Sequence, residues 1–356
     1  MRGSMLKNKN LMLLGLLCLF MVVLVACSND DDSSKVDGES PDSAVATNAE
    51  VSGEIQEVKA KLAHFYSPDI FTYEGYELFS DLVSEKSAGK IQFTIFPAGQ
   101  LYNDANLPTA ISSGQVELGV TVAETWASNI AALEFNTLPI YKDTEHFRNA
   151  LNNGIREIVS DQLAAINVKP LIWTYFDFSY FASSKSALVS PEDFVNKKIR
   201  TTGPLMAKFV ELSGGTPVSV PAVDVPQALQ RGTVDASVSG VTGFQSWRYY
   251  EYTDYYSGPF NPGLVLLSAN TKWWNSLNEA TKNVILEAAK ETEDFLIKSH
   301  DKVTVEAKTF LAEQGMKYEG VDLTQFSDAI AALKEQYLSN AGEAGQQIID
   351  IVESSE

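Results

Sequence analysis

The chain has 356 residues, with 46 Asp and Glu against 27 Lys and Arg and a formal net charge of −19 at pH 7. Lys and Arg are nowhere clustered, which excludes a nucleic-acid partner, since binding phosphate needs such clusters. The two cysteines, Cys18 and Cys27, lie near the start, so the rest of the chain has no disulfide, no thiol nucleophile and no sulfur metal ligand.

Arg2, Lys7 and Lys9 form a short basic start, and residues 11–26 are an uncharged apolar run. The run is shorter than the ~20 residues of a membrane span and has the pattern of a secretory signal. An uncleaved helical anchor is the alternative. The run closes on Leu24-Val25-Ala26-Cys27, which resembles the lipobox of bacterial lipoproteins. That resemblance implies cleavage before Cys27, acylation of Cys27, and an extracytoplasmic protein tethered to a membrane through two or more acyl chains. Residues 28–50 hold seven acids and one lysine and no apolar cluster. Such a composition does not offset the entropy of ordering. Residues 1–26 are therefore read as signal and 27–57 as the lipidated cysteine with a disordered acidic tether. The remaining ~300 residues suffice for two domains and a core that needs no disulfide.

A strand is predicted over 61–66, an amphipathic helix over 73–87, an alternating strand over 90–96 stopped by Pro97, a helix over 106–113 stopped by Gly114, and a strand over 116–120. This β-α-β-α-β rhythm implies an α/β domain with a largely parallel sheet. A helix over 145–166 and a strand from 170 to about 182 follow. Helices over 204–213 and 222–231 and a strand over 234–239 make a second series. The two series echo each other: Ala110-Ile111-Ser112-Ser113-Gly114-Gln115-Val116-Glu117 matches Ala228-Leu229-Gln230-Arg231-Gly232-Thr233-Val234-Asp235. In both, a helix stops on Gly, which suits a left-handed cap, and feeds a strand whose second residue is acidic. Two similar lobes facing across a cleft follow, and ligands of open α/β sheets bind beyond the strand ends. Residues 278–314 contain no Gly or Pro. As one helix they would reach ~55 Å and back both lobes; two helices meeting near His300 satisfy the pattern equally. Residues 323–352 read as a last helical segment, loosened around Gly342 and Gly345.

Three stretches share one resemblance. Phe96-Pro97-Ala98-Gly99-Gln100-Leu101 resembles the P-a-G-Q-L segment of the solute-binding proteins of tripartite ATP-independent periplasmic (TRAP) transporters, the DctP-like family. Ser190-Pro191-Glu192-Asp193-Phe194, continuing to Lys198-Ile199-Arg200, is similar to that family's S-P-x-D and K-I-R motif, and residues 228–235 to its A-L-Q-x-G-x-V-D. The three occur in the family's order and spacing. The resemblance implies an α/β, two-lobed periplasmic-binding-protein-like fold with crossing strands and a long helix backing both lobes. Lobe 1 would be 58–178 plus 264–302, and lobe 2 would be 179–263 plus 303–356. It also implies a receptor, not an enzyme, that closes over a small organic acid and delivers it to a TRAP permease in the membrane.

By that resemblance Arg200 pairs with the ligand's carboxylate, for which a planar guanidinium offers a matching two-pronged donor. From residue type alone, Arg200 suits a solvent-facing strand end as well. Ser239 falls where many members carry an amide, and Tyr180 stands where sialic-acid binders have another arginine. Lys197 and Lys198 replace a usual Gly-x-Lys, which leaves the turn to Asn196. Glu124 and Trp126, just after a strand, and Tyr66, at the end of the first strand, fall where lobe 1 would meet the ligand. Phe178 and Tyr180 on the aromatic strand, and Phe260 and Asn261 at the return crossing, complete the candidate set.

His64, His146 and His300 have no spacing for a metal or a triad, and no Gly-x-Ser-x-Gly elbow, phosphate loop or dinucleotide fingerprint occurs. The reading therefore calls for no cofactor and no metal. An extracytoplasmic hydrolase of a small ester or glycoside is the rival class, and a purely structural lipoprotein the third.

Overall fold

The computed structural model describes residues 53–68 and 70–355. The signal, Cys27 and nearly all of the acidic tether lie outside the described residues.

The first series forms as β1 (Val58–Ala63), α1 (Phe71–Lys86), β2 (Ile91–Phe96), α2 (Leu107–Ser113) and β3 (Leu118–Val122), each within a few residues of its predicted place. Tyr76, Phe79 and Val83 put one apolar face of α1 into the core. Where periodicity predicts one helix over 145–166, the chain makes α3 (Thr144–Ala150), a wide turn at Leu151–Ile155 and α4 (Arg156–Ala164). Gly154, at φ 132°, breaks the run with a backbone conformation that other residues rarely adopt.

The predicted strand from 170 to 182 is two strands, β4 (Val168–Phe178) and β5 (Tyr180–Ser183), which belong to different sheets. The second series then runs α5 (Pro191–Phe194), β6 (Lys198–Thr201), α6 (Gly203–Leu212), β7 (Thr216–Ser219), α7 (Val225–Gln230), β8 (Ala236–Ser239) and α8 (Val241–Ser246). The chain ends with β9 (Tyr255–Gly258), β10 (Pro262–Asn270), α9 (Thr271–Asn275), α10 (Glu279–Glu313), β11 (Lys317–Gly320) and α11 (Ser327–Ser354).

The sheets have the orders β2-β1-β3-β10-β4 and β11-β9-β5-β8-β6-β7, and each with its helices forms one lobe. Both are mixed rather than largely parallel. β1, β2 and β3 are parallel, as are β6, β7 and β8, but β10 is antiparallel to β3 and β4, and β5 to β8 and β9. The antiparallel members are those that adjoin the crossings. At Ser179 the chain leaves the first sheet, and between β9 and β10 it returns. The crossings bond each other, Ser179 N–H donating to Asn261 O (2.6 Å) and Phe260 N–H to Ser179 O (3.0 Å). A Cβ at Gly263 would overlap the Phe176 ring, so glycine is what lets β10 pass β4 there.

Of the two arrangements open for 278–314, the single helix is found. Asn278 caps α10 by accepting Thr281 N–H at 2.9 Å, and the helix packs on α1, β4 and α8. Gly342 (φ 60°, ψ −139°) breaks α11, while Gly345 stays helical.

The sequence echo is a structural one. Gly114 (φ 77°) and Gly232 (φ 67°) both take the left-handed cap. Gln115 N–H and Thr233 N–H both return to the helix, to Ala110 O and Ala228 O, each at 2.9 Å. Glu117 then accepts Lys61 N–H from β1, and Asp235 accepts Lys198 N–H from β6, again each at 2.9 Å. In each lobe the acidic residue ties the new strand to its parallel neighbour.

Candidate functional site

Arg200 is delivered by local structure that the S-P-x-D and K-I-R stretch encodes. Ser190 and Asp193 form a reciprocal capping box that starts α5. Asn196, at φ 62°, makes the turn that the missing glycine would have made. Asp235 then fixes the start of β6, so that Arg200 emerges near its end. The side chain is 5% exposed. Its Nε donates to Val220 O (3.0 Å), Nη1 to Thr202 Oγ1 (3.3 Å) and Val238 O (3.4 Å), and Nη2 to Asp104 Oδ2 (3.4 Å).

Asp104 comes from the other lobe. The P-a-G-Q-L loop is held to the end of β1 by Ala98 N–H to Tyr66 O (2.9 Å) and Gly99 N–H to His64 O (3.1 Å). A few residues on, Asp104 reaches across to Arg200 and also accepts Ala222 N–H at 3.2 Å. Sequence reading missed this residue. Its one signal was a carboxylate directly after a recognised motif.

Glu124 stands in the turn Ala123–Trp126 that follows β3. Burial pushes its carboxyl up to about 7, against the opposing pull of Asn136 and Arg200. Asn136 Nδ2 donates to its Oε1 at 2.7 Å. Beside it Glu134 accepts Leu205 N–H at 2.6 Å, and burial pushes it to about 7 too, helped by the charge of Glu124. Gly203 lies between these two acids at φ 76°, and a Cβ there would come within 2.9 Å of Glu134 Oε1.

Arg200, Asp104 and Glu124 border a cavity between the lobes of about 730 Å³, part of it open to solvent. Phe65, Phe176, Met206 and Trp247 supply apolar walls. Tyr66, Thr137 and Asn261 line it as well, and the Tyr66 Oη, Thr137 Oγ1 and Asn261 Oδ1 atoms make no hydrogen bond among the described residues. Burial holds the Tyr66 hydroxyl well above its ordinary range, with Tyr76, Glu124 and Asp104 adding to the shift. A more open space of about 1010 Å³ adjoins the cavity; Asp104, Glu124, Arg200 and Thr202 line both.

Of the candidates read from sequence, the fold brings Arg200, Ser239, Glu124, Tyr66 and Asn261 to this cavity. Trp126, Phe178, Tyr180 and Phe260 are not among its lining. The Trp126 indole donates to Thr121 Oγ1 (2.8 Å) inside the core. Phe178 is a buried core residue. Tyr180 meets Tyr256 and Tyr318 edge-on, with the Lys308 ammonium 5.1 Å from its ring. Phe260 packs among Phe181, Phe209 and Phe326. The break between β4 and β5 explains the shift: Phe176 and Ser179 face the cavity, and the aromatics near the break go to the core. Among the described residues no group of three or more His, Cys, Asp or Glu side chains gathers as a metal site.

The sequence pattern of the bacterial extracellular solute-binding proteins, family 7 (DctP), matches residues 62–340. The chain belongs to this family. It is 25% identical over 279 residues to the sialic acid-binding periplasmic protein SiaP of Vibrio cholerae, covering 76% of this chain and 85% of that one. It is 24% identical to the C4-dicarboxylate-binding protein DctB of Bacillus subtilis, over 61% and 63% of the two chains. Among solved structures it resembles a TRAP periplasmic solute-binding protein from Roseobacter denitrificans with bound β-D-glucuronate. The TM-score there is 0.80, with 20% identity and coverage of 84% of this chain and 100% of the other. The two-lobed fold is thus that of the TRAP solute-binding proteins, and the relatives are extracytoplasmic receptors rather than enzymes, which removes the hydrolase alternative. Among the described residues no helix is long and apolar enough to cross a membrane.

Proposed function

We propose that the protein is a lipid-anchored extracytoplasmic receptor that binds a small organic acid in the inter-lobe cavity and hands it to the membrane subunits of a TRAP permease. The observation that carries this reading is the state of Arg200. Its five N–H groups face four acceptors, three of them at 3.3–3.4 Å, whereas a charge-assisted bond is typically about 2.7–2.9 Å. A guanidinium so loosely engaged has donor capacity left for a ligand carboxylate. Tyr66, Ser239, Asn261 and Glu124 are the polar partners within the same cavity, while Trp126, Phe178, Tyr180 and Phe260 belong to the core. The relatives bind acids: β-D-glucuronate in the Roseobacter structure, pyroglutamic acid in a Bordetella pertussis receptor, sialic acid in SiaP. No arginine stands at Tyr180, which disfavours an acid of the sialic type.

In this reading 58–178 with 264–302 moves against 179–263 with 303–356, and binding shifts the population toward the closed form. Titration calorimetry with pyroglutamate, D-glucuronate and C4-dicarboxylates tests the ligand class, and small-angle scattering tests closure. Saturable binding with a smaller radius of gyration is expected; turnover of an ester or glycoside would refute the reading. The anchor rests on residues 11–27 alone. Wild-type protein is expected in the membrane fraction, and normal lipoprotein maturation of Cys27→Ala would remove the anchor.

A further inference from the structure

The charge of the cavity does not balance for a simple anion. Among its described lining residues Arg200 is the one cation, while Asp104 and Glu124 both bring carboxyl groups. Asp104 already answers Arg200 and is held in place by Ala222 N–H. A ligand carboxylate laid on the same guanidinium gives two anions for one cation, before Glu124 is counted. Glu124 is 7% exposed and its side-chain partner, Asn136, is neutral. Burial keeps Glu124 protonated up to about 7, so it ionises fully at such depth only beside a compensating charge, and the one cation among the described lining residues, Arg200, already faces Asp104.

The hydrogen-bond inventory points the same way. Asn261 Nδ2 already donates to Asn136 O (3.0 Å) and Pro262 O (3.3 Å), so what it leaves for the cavity is the acceptor Oδ1. The Tyr66 and Thr137 hydroxyls, 4% and 2% exposed, await partners too. The Asn261 Oδ1 acceptor calls for an N–H group on the ligand, and the two hydroxyls can accept from such a group or donate to the ligand's carboxylate. The walls are aromatic: Phe65 and Tyr66 have ring centroids 4.3 Å apart, with Trp247 6.3 Å from Phe65. Aromatic faces attract a cation and cover an apolar body, but they would leave most hydroxyls of a sugar acid unpaired.

We infer that the solute is a zwitterion with a compact, largely apolar body, its carboxylate on Arg200 and its cationic nitrogen at Glu124. The inference rests on the receptor reading above and narrows its ligand class. Glu124 then serves as the specificity-determining residue, since it discriminates a cationic nitrogen from a carbon or oxygen at the same place.

The test uses the purified full chain in detergent and calorimetric titration with matched probes. Glycine betaine is compared with 3,3-dimethylbutyrate, and L-proline with cyclopentanecarboxylate; pyroglutamate and D-glucuronate serve as acids without a cationic nitrogen. At least one zwitterion is expected to bind about tenfold or more tightly than its nitrogen-free counterpart. Glu124→Gln should remove that preference by bringing the zwitterion's affinity down to that of its counterpart measured in the same variant, with circular dichroism to verify folding. A preference that survives in Glu124→Gln overturns the role of Glu124. Binding of the nitrogen-free acids as tightly as, or more tightly than, the zwitterions overturns the ligand class but leaves the receptor reading standing. Binding of no probe of either kind overturns both.

Discussion

Two of the arginines that pair with acids, Arg156 and Arg200, differ in an instructive way. Arg156 Nη1 lies 2.8 Å from Glu293, whose other oxygen accepts Trp173 N–H at 2.7 Å, and the guanidinium lies 5.6 Å from the Trp173 ring. That pair ties α4 and β4 to α10, and its side chains are 25% and 17% exposed. Arg200 and Asp104 are deeper, at 5% and 7%, yet stand 3.4 Å apart and bridge the two lobes. The shallower pair is short and committed, and the deeper one is long and shared among several acceptors. Depth alone does not make an ion pair a structural clamp. A guanidinium whose terminal nitrogens make only long contacts is suited to exchanging one carboxylate partner for another, which a binding site needs and a scaffold does not.

The largest expected effect separates the two pairs most sharply. Arg200→Ala should cost about 2–5 kcal/mol of affinity for the tightest-binding acid, or roughly 30- to 4,000-fold, with little change in the melting temperature of the unliganded protein. Arg200→Lys should also weaken binding, since an ammonium keeps the charge but not the fork. Calorimetry with parallel thermal melts decides this; near wild-type affinity in Arg200→Ala would remove it from the site. Arg156→Ala should do the reverse, losing about 1–3 kcal/mol of stability in urea unfolding with affinity nearly unchanged. If both variants lose affinity alike, the distinction drawn between the pairs fails.

A smaller effect concerns pH. Glu124 and Glu134 are raised to about 7 by burial, so the folded chain holds protons that the unfolded chain has released. Their contribution to stability is complete at low pH and is lost as pH rises through about 7. His64, lowered to about 4 by burial, acts in the opposite sense but only below its ordinary value of about 6.5. From pH 6.5 to 8 the melting temperature of the unliganded protein should therefore fall, and Glu134→Gln should flatten the slope. A flat or rising profile in the wild type would contradict the burial of these acids beside Asp104, Arg200 and Tyr66. Smallest of all, Glu117→Gln and Asp235→Asn should each cost about 0.5–1.5 kcal/mol. Near-equal losses in urea unfolding are expected from equivalent strand ties. A clear inequality would limit the echo between the lobes to sequence.

Much of the fold was legible because its signals are local. The apolar spacing of α1, the absence of Gly and Pro from α10, and the glycines at 114 and 232 each act through a few neighbouring residues. Arg200 was legible through a motif whose own chemistry, a capping box and a left-handed turn at Asn196, is also local. The mixed sheets were not legible, because the direction of β10 and β5 depends on which sheet each strand joins after a crossing. The aromatic strand misled for the same reason: alternation assigns faces only while a strand stays in one sheet, and this one changes sheets at Ser179.

The sequence by itself determined an α/β chain with two echoing series, a long unbroken helix and an arginine presented at a strand end, since each follows from periodicity or a short-range cap. Only the tertiary structure decided that Asp104, nearly a hundred residues from Arg200, would face it across the cleft. It alone also set Glu124 and Asn261 into one cavity and sent Trp126, Tyr180 and Phe260 to the core. Electrostatic balance and hydrogen-bond satisfaction are properties of groups brought together from distant parts of the chain, and no local pattern encodes their sum.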